Sequence, residues 1–483
     1  MPLGSQPPLA PARRRRVVSS GRGGALLATV VSLVAAVFAV VAPASAAPAP
    51  TVLALSAPVQ FAGQSTTLGV VLTDGGQPVA GAAVTVERWN GSAWAPLTTA
   101  GPGGVGTTDA AGSLDVEVVV DRDPARNRVR ATFAGDADHA ASTTEYTLPL
   151  RQRPTRTWLG GPTRVVDEQV LSLALLRRTS TGVGVPGPVT LQRWNGSAWV
   201  RVLTANAGSD GRVVVRVRPR TDTRFRAVSS PVPWALGSVS TMLRVDNVPA
   251  ARPVVLPARS PRPRALPAQA RATTPGADAR ITTIPDSVWR SMVGRSWRPG
   301  CLARSSLRLL RINYWDFSGY RRRGELVAAA NAIGQMARAL TDMYNAKLPI
   351  RSMYRVDRFG YSSRVRGGDD YASMAADNTS AFNCRWVVGR PGVMSPHASG
   401  RALDINPWEN PFRSSHGWTP NGWWPAHSNP RYAWRSSNHA VVRIMARHGL
   451  RWTYGVSDSQ HFDTAVRRGR VMAPPSCGLP VCH

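Results

Sequence analysis

An eleven-residue phrase occurs twice in this chain. Val84-Thr85-Val86-Glu87-Arg88-Trp89-Asn90-Gly91-Ser92-Ala93-Trp94 returns, with two changes, as Val189-Thr190-Leu191-Gln192-Arg193-Trp194-Asn195-Gly196-Ser197-Ala198-Trp199, 105 residues later. A period of that length is too long for a stacked repeat and matches a whole domain. Each copy alternates apolar and polar residues up to an Asn-Gly pair, the dipeptide that supplies positive φ in a tight hairpin. Similar alternation in Leu114, Val116 and Val118 adds further strands between Gly, Pro, Asn and Asp turns.

Short strands at this spacing predict all-β sandwiches of the immunoglobulin-like type, one over residues 50–150 and a related one over about 155–245. At the level of pattern they resemble the bacterial Ig-like modules of surface proteins. Neither copy holds a catalytic cluster. The repeated pairs Trp89/Trp94 and Trp194/Trp199 could stack on sugars, but hairpin packing is the simpler role for tryptophans facing each other across a turn.

The 483 residues suffice for two to four domains, and 43% hydrophobic content allows each a core. The formal net charge is +31, nearly all of it arginine, since Lys347 is the only lysine. Such a charge draws a protein toward polyanions, either nucleic acid or an anionic wall or membrane surface. The N-terminus separates the two. Arg13 to Arg16 precede an apolar run from Ala25 to Ala42, and Pro43-Ala44-Ser45-Ala46 ends it with small residues. That layout predicts a secretory signal peptide over residues 1–46, with cleavage after Ala46 and no stable membrane span afterwards. An exported chain meets no chromosome, so nucleic acid is set aside and an anionic cell-wall polymer is the expected partner. Cys301, Cys384, Cys477 and Cys482 form no zinc-type CxxC pair. An even count in an exported chain reads as two disulfides, although buried free thiols would give the same count.

Residues 246–282 are rich in Pro, Arg and Ala without any period, which predicts a stiff, extended, solvated linker. From about Ile284 the pattern changes. Glu325 to Ala346 places Leu326, Ala330, Ile333, Ala337, Leu340 and Tyr344 on one helical face. Leu348 to Val356 reads as a strand. A second helix is expected from about Ser436 to His448, capped by Asn438 or Ser436 and stopped by Gly449. Mixed elements without βαβ regularity predict an α+β domain over residues 284–483.

The chemistry concentrates in two short stretches. Ser395-Pro396-His397-Ala398-Ser399-Gly400-Arg401-Ala402-Leu403-Asp404 carries two metal-capable side chains around a glycine. Asp458-Ser459-Gln460-His461 carries two more. His397, Asp404 and His461 together make a two-histidine, one-carboxylate set, which on a divalent ion leaves a position open for water. Asp458 would then take the proton of that water.

Together the two stretches resemble the SxHxxGxAxD and (E/D)xxH signatures of the zinc D-alanyl-D-alanine peptidases, the VanX/VanY group whose fold is shared with hedgehog signalling domains. Ser373 to Arg385 and Asp404-Ile405-Asn406-Pro407 add similarity to a VanY-like carboxypeptidase subfamily. The resemblance spans roughly residues 284–470. It implies Zn2+ held by His397, Asp404 and His461, Asp458 as catalytic base, and an arginine that steadies substrate and oxyanion charge. Arg385 or Arg355 would fill the last role, with Arg385 preferred. Asp458 stands where many members have glutamate. His139, His416, His427, His439, His448 and His483 fall in no ligand pattern. The loop carrying His416, Trp418, Trp423, Trp424 and His427 is either a substrate wall or irregular packing. The implied activity is a secreted carboxypeptidase acting on peptidoglycan stem peptides. An endopeptidase lysin and a non-catalytic wall-binding protein are the alternatives.

Overall fold

The computed structural model describes residues 47–464, 481 and 483. The expected signal peptide, Cys477 and Cys482 lie outside the described residues. Strand is the commonest regular structure among the described residues, and helices are few. Among the described residues no helix is long and apolar enough to cross a membrane. The described residues divide into two compact units, one of residues 47–56, Thr67–Glu117 and Val129–Tyr146, the other of Ala57–Thr66, Val118–Arg128 and the described residues from Thr147 onward.

In the first unit the alternation seen in sequence becomes sheet. Leu68, Val70 and Leu72 point to one face and are fully buried, as are Val84 and Val86. Thr51–Ser56 runs antiparallel to Ser65–Asp74. Ala83–Trp89 lies between Arg128–Phe133 and Trp94–Pro96 in a second sheet. The Asn-Gly turn joins Trp89 to Trp94, with Gly91 at φ 107° and the Asn90 carboxamide oxygen accepting from the backbone N–H of Ser92 and Ala93. The two tryptophans meet edge to face at 5.7 Å.

The second unit begins with the second sandwich. Thr155–Gly160, Leu171–Thr179 and Arg212–Val217 form one sheet, and Gly187–Trp194 anchors the other between Trp199–Ala207 and Thr223–Ser229. Leu173, Leu175, Val189, Leu191, Phe225 and Val245 fill the space within. Trp194 and Trp199 repeat the edge-to-face contact at 5.6 Å. Hairpin packing therefore accounts for both tryptophan pairs.

The segment read as a solvated linker has almost no regular structure, yet it is strapped to the C-terminal region. Buried Gln269 donates to the Met353 carbonyl and accepts from the Tyr314 hydroxyl and the Met353 N–H. The carbonyls of Pro261 and Pro267 accept from the Trp408 indole and the Tyr354 hydroxyl. Proline density stiffens a segment without keeping it away from a neighbouring surface. Asp167 of the sandwich also pairs with Arg220 at 3.0 Å and with Arg271 of the strap at 3.1 Å.

In the C-terminal region a long hairpin, Leu307–Trp315 with Arg321–Ala329, carries the helix Ile333–Asn345. The helix expected from Glu325 is therefore a strand as far as Ala329. Leu326, Val327, Ala328 and Ala329 are all buried, and a strand covered on both faces loses its two-residue alternation and mimics helical spacing. Leu348 to Val356 is not a strand but buried irregular chain with a single bridge, Ser352 to Asn378. The second helix spans Ala440–Arg447, and its cap is His439, whose ring nitrogen accepts from Val441 N–H. Gly449, at φ 75°, follows its end. Cys301 and Cys384 form a disulfide. The hairpin, both helices and the short strands around Leu403 and Phe462 share one hydrophobic core.

Candidate metal centre and active site

The two motifs meet because they pair as strands. Ala402–Asp404 runs antiparallel to His461–Thr464, in a register that sets Leu403 opposite Phe462 and Asp404 opposite His461. Leu403 and Phe462 are fully buried, and burying side chains of this size is worth roughly 1.5–3 kcal/mol each. A slip of one residue would turn those side chains out of the core, so the core holds the register that brings the two ligands side by side. His397 arrives from the turn Pro396–Ser399, where the Ser395 hydroxyl accepts from His397 N–H at 3.3 Å. Gly400 follows in the left-handed region at φ 66°, and a Cβ there would meet the Ala329 nitrogen at 2.6 Å. Ser395 and Gly400 of the motif thus shape the turn that delivers His397 to the ladder.

The donor geometry fits a metal ion. His397 Nδ1 donates to the Ala381 carbonyl at 2.7 Å, which leaves Nε2 with its lone pair. That Nε2 is buried, lies 3.1 Å from Asp404 Oδ2, and makes no hydrogen bond with it. Two buried donors held this close without a hydrogen bond between them could hold a shared cation. His461 Nδ1 lies 3.1 Å from Asp404 Oδ1, and its Nε2 lies 3.1 Å from Asp463 Oδ1. Asp463 stands where an orienting carboxylate would stand if His461 held a metal through Nδ1. Burial opposes charge on Asp404, but the His397 and His483 imidazoles more than offset it and hold the carboxyl well below its ordinary range. Burial likewise works against a charged His461, and Asp463 and Asp404 reverse it, raising the ring well above the usual histidine value. Asp463→Ala is expected to weaken zinc binding about 10- to 100-fold, checked by competition with a chromophoric chelator.

Asp458 sits next to this set. It is fully buried, and neither carboxylate oxygen has a hydrogen-bond partner. A buried carboxylate without a hydrogen bond is costly to hold, and such groups cluster at functional sites.

One residue that sequence reasoning set aside enters the centre. His483 is 1% exposed, and donors from His397, Asp404, His461 and His483 all lie within 4.8 Å of one another. His483 Nδ1 is 3.3 Å from Asp458 Oδ2 and its Nε2 is 3.3 Å from Asp370 Oδ2. Burial disfavours the charged ring, but Asp404, Asp458 and Asp370 push it up to about 9. No local spacing marks His483, so only the tertiary fold identifies it.

The two candidate arginines separate clearly. Arg385 is fully buried and pairs with Asp370 at 2.9 Å, so it joins the centre through Asp370 and His483. Burial opposes charge on Asp370, yet Arg385 and His483 bring its carboxyl down to about 2. Arg355 pairs instead with Glu325 and Asp357, away from the metal ligands. The tryptophan loop divides. Trp424 packs with Phe317, Tyr432 and Ala433 in a small core of its own, and exposed His427 stacks on Trp423 at 3.5 Å. The hairpin Phe412–Ser414 with Gly417–Thr419 contributes Phe412, Arg413 and Ser414 to a pocket of about 410 Å³ that reaches His483.

Behind the ligand strand, Arg351 pairs with Asp377 at 2.6 Å and with Glu409 at 2.8 Å, and its backbone N–H donates to Asn406 just after Asp404. Burial and Asp377 push Glu409 well above its ordinary value of 4.5, with Arg351 opposing. Above about pH 4.5 the folded chain therefore keeps a proton that the unfolded chain has released, and stability falls as pH rises. Glu409→Gln should flatten that slope in denaturant midpoints measured from about pH 5 to pH 8.

Residues 388–464 match the peptidase M15 family model described as D-alanyl-D-alanine carboxypeptidase. The match contains His397, Asp404, Asp458 and His461, and ends before His483. The C-terminal region thus carries the signature of a peptidase family. No curated protein matches the chain. Among solved structures, invasin, a bacterial integrin-binding protein, is 13% identical over 56% of this chain and 47% of its own, at a TM-score of 0.26. The α-2-macroglobulin of E. coli is 12% identical over 56% of this chain and 18% of its own, at a TM-score of 0.20. The D0-D1 domain of intimin is 14% identical over 41% of this chain and all of its own, at a TM-score of 0.16.

Proposed function

We propose that residues 284–483 form an α+β zinc peptidase that removes the terminal D-alanine from peptidoglycan stem peptides. The observation that carries this reading is the convergence of His397 Nε2, Asp404 and His461 Nδ1 beside the buried, unsatisfied carboxylate of Asp458. When bound, zinc supplies Lewis-acid activation of water and of the scissile carbonyl. The chain's own residues do the rest. Asp458 accepts the proton of the attacking water as the new C–O bond forms, then delivers it to the leaving amine as the C–N bond breaks. Asp463 holds His461 in position. Arg385 acts through Asp370, whose carboxylate it holds charged beside the His483 ring. Phe412, Arg413 and Ser414 line the pocket that would receive the peptide, and Arg413 offers a cation to its terminal carboxylate.

The two immunoglobulin-like sandwiches and the basic strap are, in this reading, the parts of an exported protein that retain it on an anionic cell-wall polymer. Removing residues 1–46 would take away five arginines and no acid, leaving the chain strongly basic.

The test is product analysis. The zinc-loaded full chain, with His483 present or replaced by alanine, is incubated with a muramyl pentapeptide and with intact sacculi, and products are read by mass spectrometry. Loss of one D-alanine, abolished by a chelator and restored by zinc, is the expected result. Internal cuts would replace the carboxypeptidase with a lysin. Zinc bound in both forms with no product from either would remove the enzyme reading.

A further inference from the structure

A hydrolytic zinc centre with three protein ligands needs an open coordination position, and its base must be free to meet water. His483 stands at both places. Its ring is stacked on Phe412 at 4.1 Å, and its backbone carbonyl accepts from Val388 N–H at 2.9 Å. Val481 packs with Met374 and Phe412. The imidazole approaches the rings of His397 and His461 edge-on, at 5.7 and 6.2 Å. Its Nε2 is 3.8 Å from Asp404 Oδ2, and its Nδ1 lies against Asp458.

We infer that His483 is a fourth metal ligand that closes the centre, so that the chain is latent while this ring is in place. This rests on the reading of His397, Asp404 and His461 as metal ligands. Four protein donors describe a closed, structural kind of zinc site, whereas three with a vacancy describe a catalytic one. The same ring lies 3.3 Å from Asp458 Oδ2, where it competes with water for that oxygen. His483 and Val481 also line the pocket beside Val388, Phe412, Arg413 and Ser457, so their departure would join that pocket to the metal. One side chain thereby occupies the ligand vacancy, the base and the inner end of the substrate pocket.

The experiment loads the full chain and its His483→Ala and His483→Phe variants with cobalt(II). Bound cobalt is counted, and visible spectra are recorded with and without azide. His483→Phe keeps an aromatic ring on Phe412 but has no nitrogen to donate. The wild-type spectrum should be insensitive to azide and that of His483→Ala sensitive. Both variants should hold cobalt more weakly than the wild-type chain. Pentapeptide hydrolysis should rise about tenfold or more in His483→Ala, as it would if fewer than about one site in ten stood open before. Equal azide sensitivity in wild type and His483→Ala, with cobalt bound in both, would sink His483 as a ligand and leave the peptidase reading standing. Lower hydrolysis in His483→Ala with an unchanged azide response would make His483 a partner of Asp458 and overturn latency. Absence of cobalt from every form would overturn the centre itself.

Discussion

Asp458→Ala is expected to leave zinc in place while lowering pentapeptide hydrolysis by about 10²- to 10⁴-fold, the range general acid–base catalysis supplies. The two readouts separate because Asp458 lies outside the cluster of four mutually close donors. His397, Asp404 and His461 keep their supports when it is removed. The Ala381 carbonyl still fixes the His397 tautomer, and Asp463 still orients His461. What disappears is a buried carboxylate with no hydrogen bond to either oxygen. Metal content by elemental analysis and turnover by mass spectrometry, compared with the more active of the wild-type and His483→Ala chains, check both halves. Retained turnover would remove Asp458 as the base, and lost zinc would make it part of the metal shell. Asp458→Glu, the residue many similar peptidases carry, should recover part of the activity, because a longer arm keeps the carboxylate while changing its reach.

Arg385→Met should be the most damaging substitution to stability, at about 3–5 kcal/mol, because it leaves a buried charge uncompensated. Asp370 is almost wholly enclosed, and the Arg385 charge leads the influences that hold it charged, ahead of His483 and His397. Chemical denaturation at neutral pH measures the loss. Asp370→Leu combined with Arg385→Met should recover much of it, since the pair is then replaced by apolar volume, and the cycle isolates their coupling. The pH dependence has a definite sign. Asp370 has a folded value of about 2, below its ordinary 3.8, so its contribution is complete above that ordinary value and is lost as pH falls toward 2. The penalty of Arg385→Met should therefore shrink in acid. A penalty that does not change with pH would show that Arg385 matters through packing alone.

Local chemistry was legible wherever a few neighbouring residues determine the outcome. The Asn-Gly turns, the alternation in Leu68, Val70 and Leu72, and the glycine that lets Pro396–Ser399 turn toward the ladder all act within a handful of positions. Where burial on both faces removed the alternation, at Leu326 to Ala329, strand looked like helix. Asp463 was within reach of inspection, two residues after a candidate ligand, but an acidic residue in a strand gives no sign of which ring it will hold. Choosing Arg385 over Arg355 rested on similarity, and what separates them in the fold is which carboxylate each one meets.

The sequence by itself determined that His397, Asp404, Asp458 and His461 would be available as a set, because residue type and spacing within each short stretch restrict what those side chains can do. Only the tertiary structure decided that Asp404 would face His461 across a ladder, that Asp370 would neutralise Arg385, and that His483 would stand over the centre. Those outcomes depend on which distant segments the shared core of Leu403, Phe462 and the long hairpin draws together. Burial energy selects such pairings through the whole packed assembly, so no stretch of chain read alone contains them.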